Sequence, residues 1–190
     1  MIRIAITPEE IFPNEPQIIT SLLSHGWDKV HLRHPNAALN DMVRLIEDIP
    51  QHFHRKLRLH GHFSLCYRFN LGGLHLNSRC PLPPDGYTGP YSKSCHSVDE
   101  VTACKDCDYI TLSPIFDSIS KPGYLSEFSI EELKTINRMT PVPIIALGGI
   151  TPERIPYIRE SGFSGYAVLG ALMNHINDTK LFNRLITEFN

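Results

Sequence analysis

The chain has 190 residues, of which 42% are hydrophobic and 20% charged, and this composition excludes a disordered chain. The formal net charge of −2 argues against nucleic acid as a partner. No apolar run approaches the roughly 18–20 residues of a transmembrane helix, so we expect no membrane partner. The five cysteines are an odd number, which is typical of reduced thiols, so we expect a cytoplasmic protein. The length predicts a single domain over residues 1–190.

Eight short apolar runs predict eight strands along the chain. They are Ile2–Ile6, Lys29–Leu32, Leu57–Leu59, Leu74–Leu76, 91–94, Tyr109–Leu112, Ile144–Leu147 and 166–169. Several show no clear alternation of polar and apolar residues, which is typical of strands that are covered on both faces. Helical patterns lie between most of the runs, over 15–25, 39–49, 97–104, 129–138, from 151 onward, and over 179–189.

This order of strand and helix, repeated about eight times, predicts parallel strands joined by βαβ units. A closed (β/α)8 barrel and a doubly wound open sheet both fit, but no Gly-x-Gly-x-x-Gly turn follows the first strand, which favours the barrel. Such barrels usually need about 250 residues. The proline-rich segment 77–84 predicts a reduced fourth helix, so the fold class we expect is α/β, a compact (β/α)8 TIM barrel.

In a barrel of this kind the active site lies at the C-terminal ends of the strands. The polar residues and glycines at these ends are His31, Arg33, His60, His75, Asn77, Ser94, His96, Ser113, Gly148, Gly149 and Gly170. Gly148, Gly149 and Gly170 follow the last two strands, where backbone N–H groups often bind phosphate, although they could simply turn the chain.

Two further groups of residues could take part in the chemistry. Ser118, Ser120 and Lys121 offer two hydroxyls and an ammonium group to an anion, with an ordinary polar loop as the alternative. His96 is a candidate for proton transfer, because an imidazole titrates near neutrality. With ten histidines in the chain, a structural role for any one of them is the competing explanation.

Two motifs suggest metal or redox chemistry only weakly. The pair in His60-Gly61-His62, with His52 and His54 nearby, lacks the cysteine and histidine spacing of a zinc site, so we expect no bound metal. Cys104 and Cys107 have the spacing of a redox motif, but they precede the sixth strand, at the end of the barrel opposite the active site. We therefore expect a structural role for both.

Six segments of the chain resemble a known protein family. In chain order they are Val30-His31-Leu32-Arg33, Gly73-Leu74-His75-Leu76, 92–100, 108–116, 143–150 and 162–168. Together they resemble the thiamine phosphate synthase and thiazole tautomerase superfamily over nearly the whole chain. The resemblance implies a (β/α)8 barrel that binds thiazole phosphate, a small-molecule substrate, in thiamine biosynthesis. It also implies that the Ser118, Ser120 and Lys121 loop and the three glycines bind the phosphate.

The positions that hold diphosphate and magnesium in synthases of this family differ here. Where synthases have Gln-Leu-Arg-x-Lys after the second strand, this chain keeps only Arg33 and has His31 and Pro35 in place of Gln and Lys. An Asn-Asp pair is replaced by His60-Gly61, and Cys80 stands where a second magnesium aspartate is expected. Since magnesium prefers oxygen ligands, we expect no cofactor, with magnesium needed only if the synthase reaction is retained.

The tautomerase branch of the family needs no metal and uses a histidine that His96 matches. We therefore predict a thiazole tautomerase with His96 as its catalytic acid and base, and with Arg33, His31 and Ser94 contributing to substrate binding. One alternative is a thiamine phosphate synthase, which condenses hydroxymethylpyrimidine diphosphate with thiazole phosphate and releases pyrophosphate. Another is a thiazole phosphate binding protein without catalysis. We also allow for a homodimer.

Overall fold

The structure is a computed structural model that describes residues 1–116 and 129–189. Eight parallel strands form a closed barrel, and their order around the barrel is their order in the chain. The strands are β1 (Ile2–Ile6), β2 (Lys29–Leu32), β3 (Leu57–Leu59), β4 (Leu74–Leu76), β5 (Tyr91–Cys95), β6 (Tyr109–Leu112), β7 (Ile144–Leu147) and β8 (Gly165–Val168). Strand β8 pairs with β1, with Ile2 opposite Gly165, and this pairing closes the barrel. The predicted (β/α)8 barrel is confirmed.

Helices connect most of the strands on the outside of the barrel. They are α1 (Glu15–Ser24), α2 (Leu39–Glu47), α3 (Leu65–Arg68), α4 (Val98–Ala103), α5 (Ile130–Arg138), α6 (Ile155–Glu160), α7 (Gly170–Met173) and α8 (Thr179–Glu188), with 3-10 turns at Gln51–Lys56 and Pro152–Arg154. Residues 77–90, between β4 and β5, contain no helix, so the fourth helix is absent where the prolines predict a reduced one. None of the described helices is long and apolar enough to cross a membrane.

Serine caps begin two of the helices at the positions that the sequence predicts. The Ser97 hydroxyl accepts a hydrogen bond from the Glu100 backbone N–H at the start of α4, and Ser129 with Glu132 forms a full capping box on α5. The Glu100 carboxylate also accepts a hydrogen bond of 2.6 Å from the backbone N–H of His96. The α4 cap therefore fixes the loop that carries His96.

Two apolar clusters stabilise the barrel. The larger lies between the strands and the helices and includes the fully buried Trp27 and Phe189. The smaller fills part of the barrel interior and comprises Ile4, Ile6, Tyr109, Ile145 and Ala167, which belong to β1, β6, β7 and β8. Side chains of a strand alternate between the two faces of the sheet, so these residues share the interior with every second residue of β2 to β5.

The remaining part of the interior is polar. His31 of β2 lies 2.7 Å from the hydroxyl of Tyr109 on β6, and because these strands are not neighbours, both side chains must point into the barrel. Arg58 of β3 places its guanidinium 4.6 Å from the centre of the Tyr109 ring. The interior is therefore apolar beside β1, β7 and β8 and polar beside β2 to β5.

We expect Gly165→Ala to lower the free energy of unfolding by about 1–3 kcal/mol, since it overpacks the closing strand pair. A Cβ at this position would lie 2.2 Å from the carbonyl oxygen of Ile2, which is backbone and cannot rotate away. Urea denaturation followed by Trp27 fluorescence measures the effect. Gly61→Ala is the matched control, because a Cβ there has nothing within 4 Å. Equal denaturation midpoints for the two variants would contradict this account.

Candidate active site

A cavity of about 1330 Å³ opens at the C-terminal ends of the strands. Its walls include ten of the eleven strand-end residues that the sequence selects, all except His31: Arg33, His60, His75, Asn77, Ser94, His96, Ser113, Gly148, Gly149 and Gly170. A smaller surface cavity of about 450 Å³ lies beside the ends of α2 and α3, away from these residues. Since barrel active sites lie at the strand C-termini, the larger cavity is the candidate site.

His96 lies at the cavity wall with one side of its ring held in place. Its Nδ1 is 3.0 Å from the carbonyl oxygen of Ser113 and 3.2 Å from the hydroxyl of the same residue. A carbonyl oxygen can only accept, so the hydrogen of the neutral ring belongs on Nδ1. This leaves Nε2 with the lone pair, which is the form that a general base needs.

The turn after β7 has a backbone conformation that favours glycine at two successive positions. Gly148 and Gly149 have φ angles of 96° and 63°, in the region that other residues rarely adopt. A Cβ on Gly148 would also lie 3.0 Å from Cα of Pro114, so a side chain has no room there. Arg154, which the sequence analysis did not select, donates a hydrogen bond of 2.5 Å to the carbonyl of Gly149. A cation therefore lies against this turn, where we expect a phosphate.

Arg33 lines the cavity with its charge partly compensated. Its Nη2 is 2.7 Å from Oε1 of Glu9, and its backbone N–H donates to the Thr7 hydroxyl at 2.9 Å. The hydrogen bond and the charge of Arg33 lower the pKa of Glu9. An incoming anion would therefore compete with the Glu9 carboxylate for this guanidinium.

Ser118, Ser120 and Lys121 lie outside the described residues. Their role in phosphate binding stays a prediction that rests on the sequence.

Three histidines from neighbouring strands meet at the floor of the cavity. Nδ1 of His31 lies 2.9 Å from Nε2 of His60, and the rings of His60 and His75 stack with their centres 4.3 Å apart. His60 and His75 line the cavity, whereas His31 is completely buried behind them. His31 therefore has no direct contact with the cavity, although the sequence analysis selected it for substrate binding.

Hydroxyl groups hold the rings of this cluster in position. Nε2 of His31 lies 2.7 Å from the hydroxyl of Tyr109. The two ring nitrogens of His75 lie 2.9 Å from the Ser92 hydroxyl and 2.8 Å from that of Ser94. Ser94, predicted to bind substrate, is thus already a partner of His75 at the cavity wall.

The three rings are neutral at neutral pH. Burial is the largest cause that lowers the pKa of each of them, and the neighbouring imidazoles lower those of His31 and His60 further. Burial and the charge of Arg58 lower the pKa of His75 to about 3. Burial also raises the pKa of Tyr109 to about 12, so its hydroxyl stays protonated.

A second buried histidine contact lies beside the cavity. Nε2 of His34 is 2.8 Å from a carboxylate oxygen of Glu15 and 3.1 Å from the Thr7 hydroxyl, and the side chains of His34 and Glu15 have no solvent exposure. His34 also lines the cavity. This pair could not be predicted from the sequence, because its members are 19 residues apart and no local pattern connects them.

Apart from His60, the residues of the weaker motifs have structural partners, although His62 lines the same cavity. Nε2 of His62 is 2.8 Å from the Ala37 carbonyl, and His54 is bonded to backbone carbonyls near α2. Cys104 and Cys107 place their sulfurs 2.9 Å apart just before β6, at the opposite end of the barrel. Burial raises the pKa of the Cys107 thiol, which disfavours the reactive thiolate.

Comparison with known proteins identifies the family. A family model described as thiamine monophosphate synthase matches residues 4–172. The thiamine-phosphate synthase of Methanobrevibacter smithii is 24% identical over 192 residues, which cover 95% of this chain and 90% of that protein. The thiamine-phosphate synthase of Prochlorococcus marinus is 25% identical over 173 residues, and these cover 87% of this chain. The match spans only 47% of that relative, and several other curated relatives are also matched over less than half of their length.

A solved structure supports the same assignment. The crystal structure of a thiamine phosphate pyrophosphorylase from Bacteroides thetaiotaomicron is 35% identical and superposes with a TM-score of 0.88, over 100% of this chain and 95% of that chain. The family model and the structural match both extend over most of the chain. The chain belongs to the thiamine monophosphate synthase family.

Proposed function

We propose that the protein condenses hydroxymethylpyrimidine diphosphate with thiazole phosphate in the large cavity and releases pyrophosphate. The observation that carries this proposal is the match to relatives named thiamine-phosphate synthase over 87% and 95% of the chain. This reaction is the alternative to the tautomerisation predicted from the sequence, and the names of the relatives favour it. The cavity of about 1330 Å³ exceeds the roughly 300–1,000 Å³ of ordinary ligand pockets, which suits two substrates side by side.

The described cavity residues suggest how each substrate would be held. Gly148 and Gly149 would offer backbone N–H groups to the thiazole phosphate, with the Arg154 charge close behind them. Arg33 and Arg79 line the other side of the cavity and would face the diphosphate. In the reaction the thiazole nitrogen forms a bond to the pyrimidine methylene carbon as the bond from that carbon to the diphosphate oxygen breaks. Positive charge beside the leaving group would stabilise the pyrophosphate that forms.

The described donors of the cavity do not fit magnesium, the metal that the family resemblance implies. Magnesium takes oxygen ligands, above all carboxylates together with substrate phosphates. Among the cavity residues in 1–116 and 129–189, only Glu9 has a carboxylate, and it is paired with Arg33. We therefore assign magnesium no step here. The charge of the leaving diphosphate would instead be compensated by Arg33 and Arg79.

Tautomerisation of a carboxylated thiazole phosphate is the second candidate, and the geometry of His96 favours it. With Nδ1 held by Ser113, Nε2 would be free to take a proton from the thiazole ring and return it elsewhere on the ring. This reaction needs a phosphate site and one proton-transfer group, and no separation of a diphosphate.

Incubation with defined substrates separates the two reactions. The full chain is mixed with thiazole phosphate and hydroxymethylpyrimidine diphosphate, with and without magnesium, and pyrophosphate release is followed. In a parallel reaction the carboxylated thiazole phosphate tautomer is given alone, and its isomerisation is followed. We expect pyrophosphate release. Isomerisation without pyrophosphate release would replace our proposal by the second candidate, and the absence of both would overturn both.

The variant His96→Asn should affect the two reactions very differently. Condensation removes no proton from carbon, so we expect His96→Asn to release pyrophosphate at a rate within about tenfold of the unchanged protein. If the protein is instead a tautomerase, the variant should lose at least about 100-fold in kcat with substrate affinity unchanged. His52→Asn is the control, since His52 is exposed and does not line the cavity. A 100-fold loss of pyrophosphate release in His96→Asn would show that the condensation depends on proton transfer and contradict this assignment.

A further inference from the structure

We propose that His31, His60 and His75, the histidine triad at the cavity floor, bind a divalent transition metal ion such as Zn²⁺ through one ring nitrogen each. These three nitrogens all lie within 4.8 Å of one another. Among residues 1–116 and 129–189, this is the one group of three His, Cys, Asp or Glu side chains placed to share an ion. The proposal concerns binding and does not depend on which reaction the protein catalyses.

The spacing of the triad is close to that of a filled site. Zinc binds histidine nitrogens at about 2.0–2.1 Å, so nitrogens around a tetrahedral ion are about 3.4 Å apart. Nδ1 of His31 and Nε2 of His60 are already closer than this, at 2.9 Å. The His75 ring lies 4.8 Å from the His31 ring and 4.3 Å from the His60 ring, centre to centre. Small rotations of the rings bring the third nitrogen to bonding distance.

The second nitrogens of the buried rings have the partners that metal-binding histidines usually have. If His31 binds the ion through Nδ1, its Nε2–H donates to the hydroxyl oxygen of Tyr109, 2.7 Å away. Whichever nitrogen of His75 binds the ion, the other keeps the hydroxyl of Ser92 or Ser94. Such partners fix the tautomer and the ring orientation, and they raise metal affinity about 10–100-fold.

The donor set determines which ions fit. Three neutral imidazoles and no carboxylate suit zinc, cobalt, nickel or copper, whereas magnesium and calcium require oxygen. The expectation of no metal, made from the sequence, concerned the His60-Gly61-His62 motif and the histidines near it in the chain. Of these, His62 and His54 are hydrogen-bonded to backbone carbonyls. Only His60 belongs to both sets.

The position of the triad leaves one side of the ion open. His60 and His75 line the cavity, and His31 lies behind them, so the fourth coordination position would face the cavity. Three protein ligands with an open position are typical of catalytic rather than structural zinc sites. Because the ligands carry no charge and Arg58 is close to His75, the fourth ligand should be an anion, such as a phosphate oxygen.

Cobalt binding tests the proposal without any substrate. Chelator-treated full-length protein is titrated with Co²⁺, and visible absorption reports a four- or five-coordinate site. Elemental analysis after dialysis against Zn²⁺ gives the stoichiometry, for which we expect one ion per chain. His60→Asn and His75→Asn should each weaken Co²⁺ binding at least about tenfold. His62→Asn, also at the cavity wall, should bind as the unchanged protein does, and excess Mg²⁺ should not compete.

Each opposing outcome has a clear meaning. Circular dichroism is first used to test whether His60→Asn is folded, and we expect it to be, because His60 is not completely buried. Spectra that stay octahedral, or binding that survives in both triad variants, would overturn the proposal. Charge-transfer bands of a cobalt thiolate would instead assign the ion to cysteines and overturn it as well. Since no substrate is present, none of these results bears on pyrophosphate release.

Discussion

Lowering the pH from 7.5 to 5.5 should reduce the free energy of unfolding by about 4 kcal/mol through His31, His60 and His75 alone. In the unfolded chain a histidine titrates with a pKa of about 6.5. In the folded protein, burial holds the pKa of His31 and His60 well below that value and that of His75 at about 3. Between these limits the unfolded chain binds protons that the native protein does not.

The sign follows from this difference in proton binding. Stability rises with pH wherever the unfolded state holds more protons than the native state, so the stabilisation is fully present above pH 6.5. It falls as the pH drops below 6.5, by up to about 1.4 kcal/mol per pH unit for each histidine. For His75 the loss continues until the pH reaches about 3. The loss of stability between pH 6.5 and 5.5 identifies the histidines, because most carboxylates titrate at lower pH.

Urea denaturation of chelator-treated protein at several values between pH 7.5 and 5.5 measures this dependence. The informative variant is His75→Asn, whose pH dependence should be shallower by about one third, whatever its stability at pH 7.5. His52→Asn, which removes an exposed histidine, should leave the dependence unchanged. A flat profile in the unchanged protein, or equal slopes in the two variants, would be incompatible with three buried neutral rings.

The sequence predicts the frame of the barrel well, because each strand is a short apolar run whose ends are set by local residues. Serine caps such as Ser97 and Ser129 are local signals too, and the helices begin where these residues predict. Because active sites of such barrels lie at the C-terminal ends of the strands, the sequence also predicts that His96 and Gly148 line one cavity, as they do. These predictions succeed because they need only the order of elements and the general geometry of a barrel.

The polar interior was harder to predict, although the sequence contains a signal for it. Leu57-Arg58-Leu59 and Leu74-His75-Leu76 alternate, with leucines directed outward to the helices and polar residues directed inward. These runs are only three residues long, so the alternation is easily taken for a uniformly buried strand. The contact of His31 with Tyr109 is set by the curvature of the closed sheet, and no spacing in the sequence encodes it.

Asp108→Asn should lower the free energy of unfolding by about 3 kcal/mol, because it leaves the Arg58 charge buried without its partner. Arg58 is 1% exposed and forms an ion pair with Asp108 at the start of β6. Its other hydrogen bonds are weak: Nη1 is 3.4 Å from the Leu74 carbonyl, and Nε has no hydrogen-bond partner among the described residues. Asp108 is 45% exposed, so water can replace part of the carboxylate, which places the cost at the lower end of the usual 3–5 kcal/mol.

Arg58→Met should cost less, within about 1 kcal/mol, although it removes the larger side chain. It takes a charge out of the barrel interior and leaves an apolar chain beside the Tyr109 ring, while the half-exposed Asp108 returns to water. The double variant with Asp108→Asn should be about as stable as Arg58→Met, since no buried charge remains to be compensated. A double variant as unstable as Asp108→Asn alone would contradict this account of the pair.

The same substitution gives a second, independent measurement. The Arg58 charge is the second cause, after burial, that lowers the pKa of His75. In Arg58→Met the pKa of His75 should therefore move back toward 6.5, and the loss of stability on acidification below pH 5.5 should become smaller. NMR titration of the His75 ring detects the shift directly. An unchanged His75 titration would mean that Arg58 acts on the fold through packing alone and not through its charge in the barrel interior.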